Sequence, residues 1–183
     1  LACVVRAQRL IGVGRGQTVL VMGSGVSGLL NIRLAKLAGA RVLATDINEY
    51  RLEKARESGA DEAYDASQEP CIKADRIIIC TGAMSAFEAA FRYIDRKGVI
   101  MLFAIPNRNI TIPVEDFWRN ELSLVSSYGA APDDLAQALA LIRDGKIHVR
   151  DMITHRFRLE DILQGFRIAG EARESLKVLV VQD

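Results

Sequence analysis

The sequence predicts an α/β protein with a parallel sheet that is covered by helices on both faces. Short apolar runs alternate along the chain with amphipathic stretches of helical period, which is the pattern of strand–helix–strand units. The apolar runs are nearly continuous, as expected for strands that are buried on both faces. The chain has 183 residues, of which 50% are hydrophobic, and this is enough for one sizeable core.

The first part of the chain contains three predicted strands and two predicted helices. Apolar residues recur at roughly helical spacing in the first helix, and Gly39 is well placed to end it. Asn48 has the side chain of an N-cap for the second helix, and Gly59 is suited to end that helix. The strands are residues 18–23, 41–46 and 62–65, and the helices are residues 27–39 and 48–59.

The second part of the chain continues this alternation and then departs from it. The strict alternation ends near Gly145, so we divide the chain into a domain of residues 1–145 and a return segment of residues 146–183. The six strands of the first domain are expected to form one doubly wound sheet. The remaining strands are residues 75–82, 98–104, 122–128, 152–159 and 176–181, and the remaining helices are residues 84–95, 132–145 and 159–170.

Three glycines stand where the first strand turns into the first helix, in the stretch VLVMGSGVSGLL. Glycine weakens a strand or a helix by roughly 0.5–1 kcal/mol relative to alanine. Three glycines in this turn therefore indicate that these positions must lack a side chain. In the G-x-G-x-x-G pattern, the first glycine permits the tight turn, the second lets a pyrophosphate approach, and the third lets the helix pack on the sheet. Gly23, Gly25 and Gly28 fill these positions and predict a Rossmann-type dinucleotide site.

Asp46 ends the next strand, where this pattern places an acid for a ribose hydroxyl. Its carboxylate can accept hydrogen bonds from both hydroxyls of the adenosine ribose and would repel a 2′-phosphate. The sequence therefore favours NAD over NADP. Arg51 lies one helical turn further on and could contact the ribose or the adenine edge, or be a solvated helix residue.

Charge and hydropathy exclude several classes of partner. With 24 basic and 23 acidic side chains, the chain has no general attraction for nucleic acid or an acidic membrane. We see no base-stacking platform, because Phe117 and Trp118 are expected to pack in the core or a loop. No apolar run reaches the roughly 18–20 residues of a membrane span, and no signal peptide is visible. We expect neither a nucleic-acid nor a membrane partner.

The cysteines and histidines indicate no metal site. The three cysteines have no paired spacing, which is typical of free thiols in a reducing compartment, so we predict a cytoplasmic protein. Cys3 is expected to be a core residue on an apolar helix. His148 and His155 are isolated, and His155 is expected to pack or to form a hydrogen bond within its strand. We assign no catalytic residue and no metal ligand to this chain.

The chain resembles the cofactor-binding half of medium-chain, zinc-dependent alcohol dehydrogenases, especially the polyol and threonine dehydrogenase branch. The resemblance is carried by the glycine turn, by TDINEYRLEKA, by ITHRFRLEDILQGF and by LKVLVV. It implies an oxidoreductase that transfers a hydride from a secondary alcohol, polyol or amino alcohol to NAD. It also implies that zinc is held by an N-terminal catalytic domain outside this chain, on which residues 146–183 would pack, and that the chain alone is inactive.

The resemblance further implies which residues contact the cofactor. Ala104 stands where relatives often carry glycine, and Ser127 where polyol dehydrogenases often carry arginine. The implied contacts are Gly23, Gly25, Val26, Ser27, Gly28, Asp46, Ile47 and Arg51 for the pyrophosphate and the adenosine ribose; Thr81 and Gly82 for the adenine side; Phe103, Ala104 and Ile105 for the nicotinamide ribose; Ser126 and Ser127 for the carboxamide; and Lys177 for a cofactor ribose.

Assembly is predicted from the strand at residues 122–128. It has few charges and no proline, so as an edge strand it would offer unpaired backbone to another chain. The resemblance implies that this outermost strand pairs across a two-fold axis. We expect a homodimer or homotetramer that buries residues 98–128 between subunits.

Two other functions stay open on the sequence alone. A stand-alone dinucleotide-binding or sensing module would have the same glycine turn and acid but no catalysis. A methyltransferase also combines a glycine-rich first turn with an acid after the second strand, although the helix spacing and the ITHRF stretch argue against it.

Overall fold

Helices and strands alternate in a computed structural model of the chain, which describes residues 1–182. The helices are α1 (Ala2–Leu10), α2 (Val26–Leu37), α3 (Glu49–Glu57), α4 (Met84–Tyr93), α5 (Val114–Asn120), α6 (Pro132–Arg143) and α7 (Ile162–Glu171). The strands are β1 (Thr18–Met22), β2 (Arg41–Asp46), β3 (Glu62–Asp65), β4 (Ala74–Ile79), β5 (Ile94–Leu102), β6 (Ser123–Ser126), β7 (Ile153–Arg158) and β8 (Lys177–Val181).

Six strands form one parallel sheet in the order β3-β2-β1-β4-β5-β6. The predicted doubly wound fold is confirmed. The strand order reverses between β1 and β4, where Val21 of β1 pairs with Ala44 on one side and Ile78 on the other. In sheets of this kind, the crevice at the carboxyl ends of the strands next to this reversal is where ligands bind.

The two faces of the sheet carry separate apolar cores. Val19 and Val21 of β1 belong to the core under α2, whereas Leu20 belongs to the core under α4 with Phe87. This division follows from the period of two along a strand, which sends neighbouring side chains to opposite faces. Burial on both faces explains why the central strands are continuously apolar in sequence.

The connection from β3 to β4 differs from the other crossovers of the sheet. Residues 66–73, all of which the structure describes, contain the 3₁₀ turn Ala66–Gln68 but no α-helix. Each of the other connections in the sheet includes an α-helix. The sheet face beside α4 is therefore less covered at this point, and a cleft opens there.

The structure changes the predicted boundary between the helix at residues 84–95 and the strand that follows it. Helix α4 ends at Tyr93, earlier than predicted, and β5 begins directly afterwards at Ile94. Ile94 pairs with Ala74, and the register then shifts before Arg76 pairs with Val99. A bulged stretch of polar residues thus interrupts the strand, which is why its apolar pattern begins only at residue 98.

Two expectations about burial are wrong. Helix α1 directs Val4, Val5 and Ala7 into the core, and Cys3, on another side of the helix, is exposed. Trp118 lies on the short helix α5, which the sequence analysis did not assign, and it is 78% exposed. Phe117, by contrast, packs edge-on against Phe91, with 5.7 Å between the ring centroids.

The return segment contains a second, separate sheet. β7 and β8 pair in a separate two-stranded parallel sheet, and α7 packs against it. The last predicted helix begins with a 3₁₀ turn at residues 159–161, so its α-helical part starts at Ile162. No helix within residues 1–182 is long and apolar enough to cross a membrane.

Candidate cofactor site

The three glycines of the turn after β1 have different local surroundings. Gly23 has φ +91°, in the left-handed region, and a Cβ added there would lie 3.0 Å from the Thr81 Cβ. A Cβ on Gly28 would lie 1.9 Å from the Gly23 carbonyl oxygen, so α2 and the turn are in direct contact. A Cβ on Gly25 would meet no atom of the described residues within 4 Å. The fold therefore explains Gly23 and Gly28, whereas Gly25 faces open space.

Gly25 is also the N-cap of α2, and no side chain of the described residues caps this helix. The first turn of a helix has backbone N–H groups without partners inside the helix, and its dipole end is positive. Val26 and Ser27 begin this turn. The open space at Gly25 thus adjoins a site that attracts anions, as a pyrophosphate requires.

Asp46 is held beside this turn by two backbone groups. Its Oδ2 accepts a hydrogen bond from the Ser24 N–H at 2.7 Å, and its Oδ1 accepts one from the Asn48 N–H at 3.0 Å. The residue is only 7% exposed. Each carboxylate oxygen retains a further lone pair, so the fixed carboxylate can also accept hydrogen bonds from a ligand's hydroxyl groups.

A cleft of about 310 Å³ joins the glycine turn, Asp46 and the ends of β2 and β4. It continues between the β3–β4 connection and α4. This volume lies at the lower end of the range of small-molecule sites. Of the residues predicted to contact the cofactor, the cleft brings together Gly23, Gly25, Asp46, Ile47, Arg51 and Thr81.

Other predicted residues adjoin the cleft without lining it. Gly82 lies close to the loop after β5, because a Cβ on it would be 3.0 Å from the Ile105 carbonyl oxygen. The Ala104 N–H donates a hydrogen bond to Ile79 at 2.9 Å, which fixes the start of this loop at the end of β4. Phe103 is half-buried, and Ile105 is 89% exposed.

The three remaining predicted contacts lie further along the sheet edge or in the return segment. Ser126 is exposed at the end of β6, and the next residue, Ser127, has a buried hydroxyl with no partner among the described residues. Lys177 is exposed at the start of β8. None of the three lines the cleft.

Some cleft residues were missed by the sequence analysis. Ala86, Ala89 and Tyr93 line the cleft from α4, and their spacing of three and four residues is the signal that could have found this helix face. Glu69 and Arg92 form an ion pair, with 3.4 Å between Oε1 and Nη2, at the far end of the cleft. The contact between them could not be read from local sequence.

Cys80 also lines the cleft, and a buried polar network supports it. Asn31 donates a hydrogen bond from Nδ2 to the Cys80 Sγ at 3.4 Å and another to the Ser27 carbonyl at 3.0 Å. Gln8 of α1 in turn donates to the Asn31 Oδ1 at 3.1 Å. Burial raises the pKa of the Cys80 thiol to about 12, so this thiol is protonated at neutral pH and is a poor nucleophile.

The described residues contain no group of three or more His, Cys, Asp and Glu side chains that could hold a metal ion. His155 forms a hydrogen bond with the Thr154 hydroxyl at 2.9 Å and stacks on Phe157, so it is a packing residue as predicted. The three cysteines are free thiols. The site has the features of a nucleotide cleft.

A match to a protein family identifies the class of protein that contains this cleft. The family model described as zinc-binding dehydrogenase matches residues 27–144, which include α2 from Ser27 onward, Asp46 and five of the six strands of the sheet. The chain belongs to the zinc-binding dehydrogenase family. It corresponds to the cofactor-binding half of these enzymes, as the sequence resemblance implied.

Similar proteins include sorbitol and threonine dehydrogenases. The chain is 31% identical to a sorbitol dehydrogenase of Halalkalibacterium halodurans over 98% of this chain and 56% of that protein. It is 29% identical to an L-threonine 3-dehydrogenase of a Shewanella species over 90% of this chain and 51% of that protein. The chain therefore spans about half the length of the curated relatives it matches.

Two solved structures with a bound dinucleotide share the fold. A short chain alcohol dehydrogenase from E. coli CFT073, complexed with NADH, has a TM-score of 0.89 and 25% identity, covering 97% of this chain and 56% of that one. A zinc-binding dehydrogenase-type protein from Sinorhizobium meliloti 1021, bound to NADP, has a TM-score of 0.87 and 25% identity, covering 99% and 57%. Both forms of the cofactor thus occur among similar proteins.

Proposed function

We propose that this chain is the NAD-binding part of an oxidoreductase that transfers a hydride between a secondary alcohol, polyol or amino alcohol and the cofactor. The proposal rests on one observation: Gly25, which has open space beside its backbone, and the fixed carboxylate of Asp46 line the same cleft. When bound, NAD supplies the hydride acceptor, and the chain's own residues bind and orient it. The substrate class rests on the sorbitol and threonine dehydrogenase relatives.

Each part of the adenosine half has a partner in this cleft. The N–H groups of the first turn of α2 bind the pyrophosphate at Gly25. Asp46 accepts hydrogen bonds from the ribose hydroxyls, and its negative charge disfavours the 2′-phosphate of NADP. Ile47, which is exposed at the rim, and Thr81 flank the adenine. This charge argument is the reason for proposing NAD, although one relative was solved with NADP.

The experiment is a titration calorimetry comparison of NAD and NADP on the full chain. We expect NAD to bind at least about tenfold more tightly, because a 2′-phosphate would meet the Asp46 carboxylate. Asp46→Ser should reduce the preference to about threefold or less. Asp65→Ser is the matched control, since Asp65 ends the neighbouring strand β3 but does not line the cleft. Equal affinities of the unchanged chain for NAD and NADP would contradict the proposed cofactor choice.

We also propose that the chain binds the cofactor without turning over substrate by itself. Its described residues have no metal-binding cluster, and the relatives are about twice as long. The test offers zinc, NAD and a panel of polyols, secondary alcohols and threonine to the purified chain. We expect no NAD reduction above that of Gly25→Val, and reduction above this background would place catalytic residues inside the chain.

Assembly and cellular location complete the proposal. β6 pairs only with β5 in the described sheet and forms its edge, so we propose a homodimer or homotetramer through residues 98–128. Light scattering at tens of micromolar should give at least a dimer, and a monomer would contradict this. The three free thiols support a cytoplasmic location.

A further inference from the structure

The C-terminal end of α7 lies against the N-terminal end of α3, directly beside the ribose-binding carboxylate. Asn48 Nδ2 donates a hydrogen bond to the Arg173 carbonyl at 2.8 Å and a longer one to the Ala172 carbonyl at 3.4 Å. Arg51 Nη2 also donates to the Ala172 carbonyl at 3.4 Å. These contacts join residues separated by more than a hundred positions in the chain.

The carbonyl groups at this end of α7 need such donors. The last carbonyls of a helix have no partner inside the helix and carry the negative end of its dipole. Ala172 is the C-cap of α7 and has φ +49°, which turns the chain sharply after the helix. An amide and a guanidinium from α3 therefore satisfy carbonyls that the turn exposes.

Asn48 uses three different groups to contact three different parts of the molecule. Its backbone N–H donates to Asp46 Oδ1 at 3.0 Å, and its side-chain Oδ1 accepts from the Arg51 N–H at 3.2 Å as the N-cap of α3. Its Nδ2 donates to Arg173. One residue thus connects the carboxylate of the cleft, the start of α3 and the return segment.

Arg51 connects the same elements from within the cleft. Its side chain lines the cleft, its Nη2 reaches Ala172, and its Nε is buried with no partner among the described residues. A buried donor of this kind is costly unless another group satisfies it. A ligand oxygen in the cleft is a suitable acceptor, so the bound ligand would order a side chain that already contacts the return segment.

We infer that Asn48 is a positioning residue that couples dinucleotide binding to the docking of the return segment. The inference rests on the proposed function, because it takes the ligand of the cleft to be a dinucleotide whose ribose Asp46 holds. Binding orders Arg51, which contacts the Ala172 carbonyl directly. It also engages the fixed carboxylate of Asp46, which Asn48 links to the turn at residues 172–173. By reciprocity, the docked return segment strengthens binding, and bound dinucleotide strengthens docking.

Asn48→Ser separates this role from helix capping. Serine caps a helix about as well as asparagine does, because its hydroxyl accepts the same backbone hydrogen bond. It lacks the amide group that donates to the Arg173 carbonyl. A residue that only caps α3 would therefore tolerate serine, whereas a residue that couples α3 to the return segment would not.

The experiment measures NAD affinity by calorimetry and the rate of trypsin cleavage after the exposed residue Arg173, with and without NAD, on the full chain. In the unchanged protein, NAD should slow cleavage about fivefold, which corresponds to one net hydrogen bond. In Asn48→Ser, NAD should bind about fivefold more weakly and should no longer slow the cleavage. Asn120→Ser, on the distant helix α5, is the control, because Asn120 is also half-buried and its amide also donates to a backbone carbonyl.

The outcomes distinguish this inference from the proposed function. If the unchanged chain does not bind NAD, the proposed function fails, and the inference fails with it. If NAD binds but does not slow cleavage, or if Asn48→Ser retains full affinity and protection, the inference alone is overturned.

Discussion

The adenosine end and the nicotinamide end of the proposed site lie on the same edge of one sheet, but the chain builds them differently. At the adenosine end, Asp46 is 7% exposed and both of its oxygens accept backbone hydrogen bonds. At the other end, Ile105 is 89% exposed and Tyr128, just beyond β6, is 98% exposed. The first end is complete within this chain, whereas the second lacks a covering surface from the described residues.

The position of each end in the sheet explains the contrast. The adenosine end is at the strand-order reversal between β1 and β4, where two loops and the start of α2 converge. The nicotinamide end extends toward β6, a short edge strand with one neighbour in the sheet. If the proposed site is correct, the described residues preorganise its adenosine end and leave its nicotinamide end exposed.

The largest expected effect is a loss of NAD binding at the adenosine end while the fold is retained. Gly25→Val places a side chain in the open space at the N-terminus of α2, where a pyrophosphate must lie. We expect NAD affinity to fall by a factor of at least about one hundred in calorimetry, because one side chain would exclude the pyrophosphate. The melting temperature should remain close to that of the unchanged chain, since Gly25 has ordinary extended backbone angles.

Gly28→Ala, in contrast to Gly25→Val, should destabilise the fold. Its Cβ would lie 1.9 Å from the Gly23 carbonyl oxygen, so α2 would have to move away from β1. We expect a loss of about 3 kcal/mol or more in the free energy of unfolding, as for severe overpacking. A stable Gly28→Ala chain, or an unfolded Gly25→Val chain, would reverse the roles that we assign to the two glycines.

Thiol labelling tests how well the adenosine end is enclosed. Burial raises the pKa of the Cys80 thiol to about 12, whereas Cys3 and Cys71 are exposed. At pH 8, we expect Cys80 to react with a maleimide at least about one hundred times more slowly than the other two, because the thiolate is the reactive form. Mass spectrometry of the labelled peptides gives the three rates, and similar rates would show that this end is open.

The affinities of NAD and of its fragment ADP-ribose compare the two ends of the site directly. Because the nicotinamide end is exposed, we expect NAD to bind within about threefold of ADP-ribose, which lacks the nicotinamide ring. Ile105→Ala should change the NAD affinity by less than about twofold, since this side chain is almost fully solvated. An NAD affinity more than about tenfold above that of ADP-ribose would mean that the chain itself encloses the nicotinamide.

The smallest expected effect concerns a second attachment of the return segment. Arg33 Nη1 of α2 donates a hydrogen bond to Asp151 Oδ1 at 2.9 Å, and this partner lowers the pKa of the Asp151 carboxyl. A lowered pKa means that the stabilisation is present above the ordinary range near pH 4 and is lost as the pH falls through the folded-state value.

The variant Asp151→Asn tests this attachment. We expect it to lower the melting temperature slightly at pH 7, because the Asp151 side chain is 57% exposed and ion pairs with an exposed partner contribute little. The difference from the unchanged chain should shrink as the pH falls below about 4, where the carboxylate of the unchanged chain also becomes neutral. A difference that is the same at pH 7 and pH 3 would assign the effect to something other than the ion pair.

The parts of the site that could be predicted from sequence depend on local geometry. A strand that turns into a helix through Gly23, Gly25 and Gly28 has few possible shapes, and Asp46 follows the neighbouring parallel strand, so both reach the same sheet edge. Asn48 was predicted as an N-cap for the same local reason, and the structure confirms it. The nearly continuous apolar runs predicted the central strands of the sheet.

Contacts between distant parts of the chain were decided by the tertiary structure alone. The hydrogen bond from Asn48 to Arg173, the ion pair of Glu69 with Arg92, and the separate β7–β8 sheet leave no periodic signal in the sequence. The exposure of Cys3 likewise depended on which side of α1 meets the core. The physical reason is that local sequence fixes backbone shape and the direction of side chains within an element, whereas packing between elements decides which of those side chains meet.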